Sequence, residues 1–228
     1  MWTLGVDMAS QPEQTAACAV EWRAGRAVVA DLRLSVDDDS IVELAGNADA
    51  VGFDCPLGWP EHFHAFLEAL RCFRPVGDAG WTAEHRDALR YRRTDVYLRD
   101  VLGRWPLSVS TDRIGVPALR MAGLLSRLGV RDRSGDGRIY EVYPAAALHR
   151  WRFPNKGYKK RDGTVLRGLY AALREQARWL EAPRPFNTVF ARQHDAFDAL
   201  LCAFCARAAL LGRTDAPPAD EAGAARVE

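Results

Sequence analysis

Short apolar runs separated by polar turns fill the first quarter of the chain. Within each run the side chains have the spacing and the Val, Ala and Leu content of β-strands, and the turn Arg23-Ala24-Gly25-Arg26 separates the second run from the third. Aspartates and a serine ahead of Ile41 indicate the start of a helix. The pattern therefore predicts strands over 2–7, 15–22, 27–34 and 50–54, with a helix over 37–44 before the fourth strand.

After Pro56 the apolar residues recur at three- and four-residue spacing, which is typical of amphipathic helices. Strand-like alternation returns once, over 138–143, where Pro144 ends it. From residue 212 the chain is rich in Ala, Pro and acids, and this composition predicts a disordered tail over 212–228. Helices are predicted over 61–73, 83–102, 116–128, 163–180 and 191–211.

These elements predict an α/β fold. The order strand, hairpin, helix, strand is that of the first half of a ribonuclease-H-like sheet, so we expect a mixed five-stranded sheet flanked by helices. The helical segment of about 60–130 then forms an insertion after the fourth strand. We expect one domain over 1–211, because 228 residues that are 48% hydrophobic can bury a substantial core.

Composition narrows the setting of the protein. No apolar run approaches the ~20 residues that a membrane-spanning helix needs, so we expect a cytoplasmic protein with no membrane partner. Five cysteines form no regular framework, which disfavours a disulfide-rich secreted domain. Cys202 and Cys205 form a C-x-x-C inside a helical pattern, which favours buried packing over zinc binding.

Four aspartates occupy positions that suggest a metal site. Asp7 and Asp54 each end a predicted strand, and Asp195 and Asp198 are three residues apart on one face of a predicted helix. Buried carboxylates need a cationic partner, and Mg²⁺ or Mn²⁺ would supply it. Two such ions activate water for phosphodiester cleavage. Taken singly, an aspartate at a strand end is more often a turn former, and an acid near a helix start already suits the helix dipole.

Three further features bear on chemistry. Glu141 lies on the predicted fifth strand. Three interpretations are open for it: a fifth carboxylate of the site, a partner for an arginine, or an outward-facing strand residue. His194 precedes Asp195. Its candidate roles are a proton shuttle, a partner that supports the site acids, or a helix cap. Cations with aromatic neighbours predict contact with phosphates and unpaired bases, although a solvated surface loop is the simpler interpretation. This basic segment contains Trp151, Arg152, Phe153, Lys156, Tyr158, Lys159, Lys160 and Arg161.

As a set, these motifs resemble an uncharacterised predicted-nuclease family, the domain of unknown function 429, which has a ribonuclease-H-like fold related to the RuvC-type resolvases. The resemblance covers most of residues 1–211. It is carried by Gly5-Val6-Asp7, Gly52-Phe53-Asp54-Cys55-Pro56-Leu57-Gly58, Arg93-Thr94-Asp95, Glu141-Val142-Tyr143-Pro144-Ala145, Tyr158-Lys159 and Asp195-Ala196-Phe197-Asp198-Ala199.

The resemblance implies a magnesium site formed by Asp7, Asp54, Asp195 and Asp198. It makes Lys159 and Arg93 candidates to contact the scissile phosphate or to pair with the acids. This chain has Asp54 where resolvase-like enzymes usually have glutamate. Relatives of this kind are often dimers, so the resemblance also leaves a homodimer open.

We therefore expect a Mg²⁺- or Mn²⁺-dependent phosphodiesterase that acts as a nuclease, with catalytic roles for the four aspartates, Glu141 and Lys159. Whether the nucleic acid is DNA or RNA stays open. One alternative is a non-catalytic protein of the same fold that binds metal or nucleic acid. Another is ATP-dependent phosphoryl transfer, which is disfavoured because Met8-Ala9-Ser10-Gln11-Pro12 is not a glycine-rich phosphate loop.

Overall fold

The computed structural model describes residues 1–76, 80–160 and 163–228. Its strands are β1 (Trp2–Asp7), β2 (Ala16–Arg23), β3 (Arg26–Leu34), β4 (Ala50–Asp54), β5 (Ile139–Glu141) and β6 (Leu180–Glu181). Its α-helices are α1 (Asp38–Gly46), α2 (Glu61–Arg71), α3 (Ala83–Arg90), α4 (Arg93–Leu102), α5 (Gly115–Leu128), α6 (Pro144–Arg150), α7 (Thr164–Gln176), α8 (Arg184–Phe190), α9 (His194–Leu210) and α10 (Ala222–Ala225).

The chain divides into two compact units. The first consists of Met1–Cys55 and Gly137–Thr214 and contains the whole sheet. The second consists of Pro56–Asp136 and Asp215–Glu228, so it holds the helical segment that the sequence predicts as an insertion. The tail predicted to be disordered contributes α10 and the buried Glu228 to this second unit.

The sheet of the first unit is mixed and six-stranded, in the order β5-β4-β1-β2-β3-β6. Strands β1, β2 and β3 form an antiparallel meander, β4 and β5 run parallel to β1, and β6 runs parallel to β3. The α/β class is confirmed, but the predicted count of five strands is wrong. The sixth strand pairs Leu180 with Ala27, and its two residues are too few to show the alternation by which a strand is predicted.

Several predicted helices have different bounds in the structure. The helix predicted over 163–180 ends at Gln176, and the one predicted over 61–73 ends at Arg71. The helix predicted over 83–102 is interrupted at Tyr91 and Arg92, which are extended, and α4 begins afresh after Arg92. The Asp95 carboxylate accepts a hydrogen bond from the Arg92 backbone N–H, which completes a capping box. The helix predicted over 191–211 begins instead at His194.

Helix α9 is the most buried helix of the first unit, with ten buried residues in 17. It packs against β1, β2 and β4 and lies in the main hydrophobic cluster with α7 and α8 residues such as Leu169 and Phe190. The position of α9 over the sheet determines where the candidate site lies.

Among the described residues, none of the helices has both the length and the apolar character that crossing a membrane requires.

Candidate metal centre

Strand register places two of the predicted acids side by side. Strands β1 and β4 are parallel neighbours, and Asp7 and Asp54 are partners at their carboxyl ends. Both residues are partly buried, and the Asp54 side chain is 18% exposed. The carboxyl ends of these two strands therefore form one acidic edge.

A pair of glycines lets α9 lie directly on this part of the sheet. Gly5 and Gly52 are also register partners, each two residues before an aspartate and hence on the same face of its strand. A Cβ on Gly5 would lie 1.9 Å from the Ala199 carbonyl oxygen of α9, and a Cβ on Gly52 would lie 2.5 Å from that of Cys202. Since no side chain separates helix from sheet, the first turns of α9 come close to the acidic edge.

Asp198 lies in the second turn of α9 and is fully buried. The Tyr158 hydroxyl donates to its Oδ1 at 2.9 Å, and the Lys159 ammonium lies 2.6 Å from its Oδ2. Lys159 Nζ is also 3.7 Å from Asp54 Oδ2, so one cation contacts acids from the sheet and from the helix. The Lys159 side chain is half exposed, which leaves it free to change rotamer.

One group of ligand atoms is compact enough to hold a metal ion. One side-chain ligand atom each from Asp7, His194 and Asp198 lie within 4.8 Å of one another. Carboxylate and imidazole side chains are both common ligands of divalent metal ions. Because a neutral imidazole also tolerates a cation beside it, the group has the composition of a metal site as well as the spacing.

The pKa values of the acids reflect crowding. Burial, reinforced by Asp54 and Asp198, holds the pKa of Asp7 well above its ordinary value. Burial also raises the pKa of Asp54 to about 6, although Lys159 opposes the rise. The pKa of Asp198 is raised by burial despite the contacts of Lys159 and Tyr158. Burial and mutual repulsion therefore make these three carboxyls harder to ionise than an ordinary aspartate.

Lys159 and Asp195 show the opposite electrostatic effect. Burial tends to lower the pKa of Lys159, but the carboxylates of Asp198 and Asp54 outweigh burial and raise it. Burial tends to raise the pKa of Asp195, but its contact with His194 outweighs this and lowers it. His194 Nδ1 lies 2.6 Å from Asp195 Oδ1, and both side chains are more than one-third exposed. Asp195 is therefore the acid of the site that ionises most readily.

The remaining predicted residues fall in different places. Glu141 ends β5 beside Phe53 rather than Asp54, and its charge adds less to the pKa of Asp54 than burial and Asp198 do. Of the basic segment, Lys159 reaches the acids, and Lys156 and Lys160 are exposed.

The aromatic side chains of the basic segment do not stand free. Trp151 and Phe153 are partly buried against the hydrophobic cluster, and Tyr158 lies inside that cluster. These rings therefore pack into the core, whereas the sequence predicted that they would offer surfaces for stacking with bases. Arg161 lies outside the described residues.

Comparison with known proteins identifies the family. A family model described as "Protein of unknown function (DUF429)" matches residues 5–223. The chain belongs to the DUF429 family. No curated protein and no solved structure matches it.

The sequence of this DUF429 protein contains one signal of the site besides its four aspartates. His194 and Asp198 are four residues apart, which places both on one face of α9. The three-residue spacing of Asp195 and Asp198 has the same effect. The sequence predicts Tyr158 to be a stacking residue, whereas in the structure its hydroxyl donates a hydrogen bond to Asp198. In this DUF429 protein the compact ligand group thus pairs Asp198 with His194.

Proposed function

We propose that this protein is a phosphodiesterase that uses Mn²⁺ or Mg²⁺, and that it acts as a nuclease on a ribonuclease-H-like sheet. The strand order supports the fold part of this proposal. A meander of three antiparallel strands, followed by two strands parallel to the first, is the order that a ribonuclease-H-like sheet requires. The helix that carries acids closes the same edge of the sheet.

The observation that carries the proposal is the convergence of Asp7, Asp54 and Asp198, with His194, at one edge of the sheet. The three acids come from two strands and a helix that are far apart in sequence. Placing several carboxylates together in a partly buried site is costly unless a cation compensates them. A divalent cation is the simplest compensation, because Lys159 supplies a single charge.

The residues present fit such an ion. Asp7, His194 and Asp198 would hold it, and Asp54 beside Asp7 would add a further carboxylate. When bound, a divalent ion supplies a Lewis acid that activates water and stabilises the leaving oxygen of a phosphodiester. The imidazole of His194 favours Mn²⁺ over Mg²⁺, because Mg²⁺ prefers oxygen ligands.

Other side chains would orient the site and contact the substrate. Tyr158 fixes one oxygen of Asp198 by a buried hydrogen bond. Lys159, half exposed and positively charged, is suited to contact a substrate phosphate after it leaves Asp198. His194 and Asp195 form a more exposed pair at the first turn of α9, in which the Asp195 carboxylate would orient the imidazole.

One observation favours the non-catalytic alternative. Lys159 already pairs with Asp198 and Asp54, so part of the negative charge is compensated within the chain. A protein that had lost catalysis would need no more than this. The two functions differ in one measurable property, which is cleavage.

The test is cleavage of labelled single-stranded, duplex, hybrid and branched DNA and RNA with Mn²⁺ or Mg²⁺. Asp7→Asn and Asp198→Asn are expected to abolish cleavage, because each removes a carboxylate from the ligand group. Asp39→Asn is the matched control, since Asp39 is exposed on α1. It is expected to cleave as the wild type does.

Calorimetric titration with Mn²⁺ separates the alternatives. Metal binding together with cleavage supports the nuclease. Metal binding that is lost in Asp7→Asn, without cleavage of any substrate, supports the non-catalytic protein. A wild type that neither binds the ion nor cleaves contradicts the proposal.

A further inference from the structure

The second unit contains a buried carboxylate bound by backbone N–H groups. The Glu228 side chain is 3% exposed. Its oxygens accept hydrogen bonds from the backbone N–H of Glu61 at 3.1 Å and of Arg93 at 2.7 Å. The Arg93 guanidinium adds a third bond at 3.2 Å. These contacts all lie within Pro56–Asp136 and Asp215–Glu228, so the residues of the candidate metal centre take no part in them.

Two helices contribute their first amides to this pocket. Glu61 is the first residue of the 11-residue α2, and Arg93 is the first residue of the 10-residue α4. The N–H groups at a helix start have no partner within the helix, and the helix dipole adds positive potential there. Two helix starts and one guanidinium directed at the same carboxylate make a strong oxyanion environment.

The walls of the pocket are rigid. Arg92 and Asp95 are both 2% exposed, and their ion pair and capping box fix the start of α4. Gly58 lies against the main chain of the tail, since a Cβ there would lie 2.3 Å from the Glu228 backbone oxygen. Gly58 and the Arg93-Thr94-Asp95 triplet belong to the sequence motifs but are not part of the candidate metal centre. Their contacts with Glu228 give both motifs a structural role in the second unit.

Apart from Glu228, the tail is held by α10, which packs against α4, and by a hydrogen bond from the Arg133 backbone N–H to the Arg226 carbonyl oxygen at 3.1 Å. Two side-chain contacts lie nearer the surface. Arg133 donates to the Val227 carbonyl at 2.6 Å, and Arg226 pairs with Asp132 at 3.1 Å. The ion pair between Arg226 and Asp132 is of the surface kind that contributes about 0–1 kcal/mol. A tail attached in this way can exchange with a competing anion if that anion replaces Glu228 in the pocket.

We propose that this pocket is a phosphate-binding site and that Glu228 occupies it as an internal competitor. A phosphate group offers more acceptor oxygens and more charge than a carboxylate, so it can use both amides and Arg93 together. Glu61 opposes the anion, because its Oε2 lies 3.5 Å from Arg93 Nη1 and shares that cation. The source is inorganic phosphate or a backbone phosphate, and the choice of a polymer rests on the proposed function.

The experiment uses the full chain in EDTA, so that metal and cleavage play no part. Inorganic phosphate is titrated and followed by ³¹P line broadening, and a short labelled single-stranded DNA is followed by anisotropy. Glu228→Ala is expected to bind both probes about tenfold more tightly than the wild type. Adding Arg93→Met to Glu228→Ala is expected to remove this gain. Asp220→Ala, an exposed acid of the same tail, is the matched control.

Each outcome has one meaning. Tighter binding of both probes supports the site with a polymer as its ligand, and tighter binding of inorganic phosphate alone supports the site but excludes the polymer. No gain in Glu228→Ala, with a thermal unfolding curve like that of the wild type, overturns the proposal and leaves Glu228 as a structural cap. If Glu228→Ala unfolds, Glu228→Gln is tested by the same criteria. Failure of the nuclease assay would not alter these results.

Discussion

Gly5 and Gly52 are register partners in β1 and β4, and the backbone of α9 crosses directly over both. Each glycine lies two residues before an aspartate of the acidic edge. The close approach therefore links packing to chemistry, because it fixes how near Asp198 of α9 comes to Asp7 and Asp54. A larger residue at either glycine would have to lift the helix from the sheet.

Gly5→Ala is expected to lower the free energy of unfolding by about 3 kcal/mol or more, at the upper end of what overpacking costs. The new Cβ would meet helix backbone at 1.9 Å, and backbone cannot move aside as a side chain can. Urea denaturation measures this change. Gly168→Ala is the matched control, since Gly168 is exposed in α7 with no atom near its Cβ position. That substitution is expected to stabilise the protein by up to ~1 kcal/mol, and an equal loss in both variants would contradict the packing argument.

Lys159→Met is expected to increase the affinity for Mn²⁺ by about tenfold, because the ammonium that competes for Asp198 and Asp54 is removed. The same variant is expected to lose nucleic-acid cleavage if Lys159 contacts the substrate phosphate. Calorimetry gives the affinity independently of cleavage. Lys160→Met, which changes an exposed neighbour, is expected to leave the affinity unchanged. A weaker affinity in Lys159→Met would show that the lysine supports the ion rather than competes with it.

Tyr158→Phe is expected to lower stability by about 1.5–3 kcal/mol, the range for a hydrogen bond to a charged group. The phenol donates to Asp198 in a buried position, and its loss leaves Oδ1 without that donor. Chemical denaturation of Tyr158→Phe, Asp198→Asn and the double variant forms a thermodynamic cycle. Additive losses in this cycle would mean that the two side chains are not energetically coupled.

Stability of the metal-free protein is expected to fall as the pH rises from about 4 to 6. Burial raises the pKa of Asp54 to about 6 in the folded protein, whereas its ordinary value is 3.8. In this window the folded state holds a proton that the unfolded state has released, so raising the pH favours unfolding. Asp54 alone contributes a change of about 3 kcal/mol.

Denaturation in EDTA at several pH values tests this expectation against Asp54→Asn. The asparagine cannot titrate, so the variant is expected to lose less stability across the window than the wild type. Mn²⁺ is expected to stabilise the wild type more at pH 7 than at pH 5, because the ion binds the deprotonated acids. Parallel pH profiles for the two proteins would be evidence that Asp54 ionises normally in the fold.

The sequence by itself determined the elements and most of the acids. Short apolar runs predicted β1 to β4, and Asp7 and Asp54 were each predicted to end a strand. Helical spacing likewise placed Asp195 and Asp198 on one helix. These features are local, since each depends on residues within a single strand or a single helix.

Only the tertiary structure decided which of these groups meet. The two-residue β6 forms because Leu180 reaches the edge of β3, and nothing in its own sequence marks it as a strand. The contacts of Tyr158 and Lys159 with Asp198 join residues about 40 positions apart, through a loop whose charges also suited a solvated surface. His194 became a candidate ligand when the glycine pair brought the start of α9 to Asp7. Such contacts depend on packing between distant segments, which local patterns of polarity do not encode.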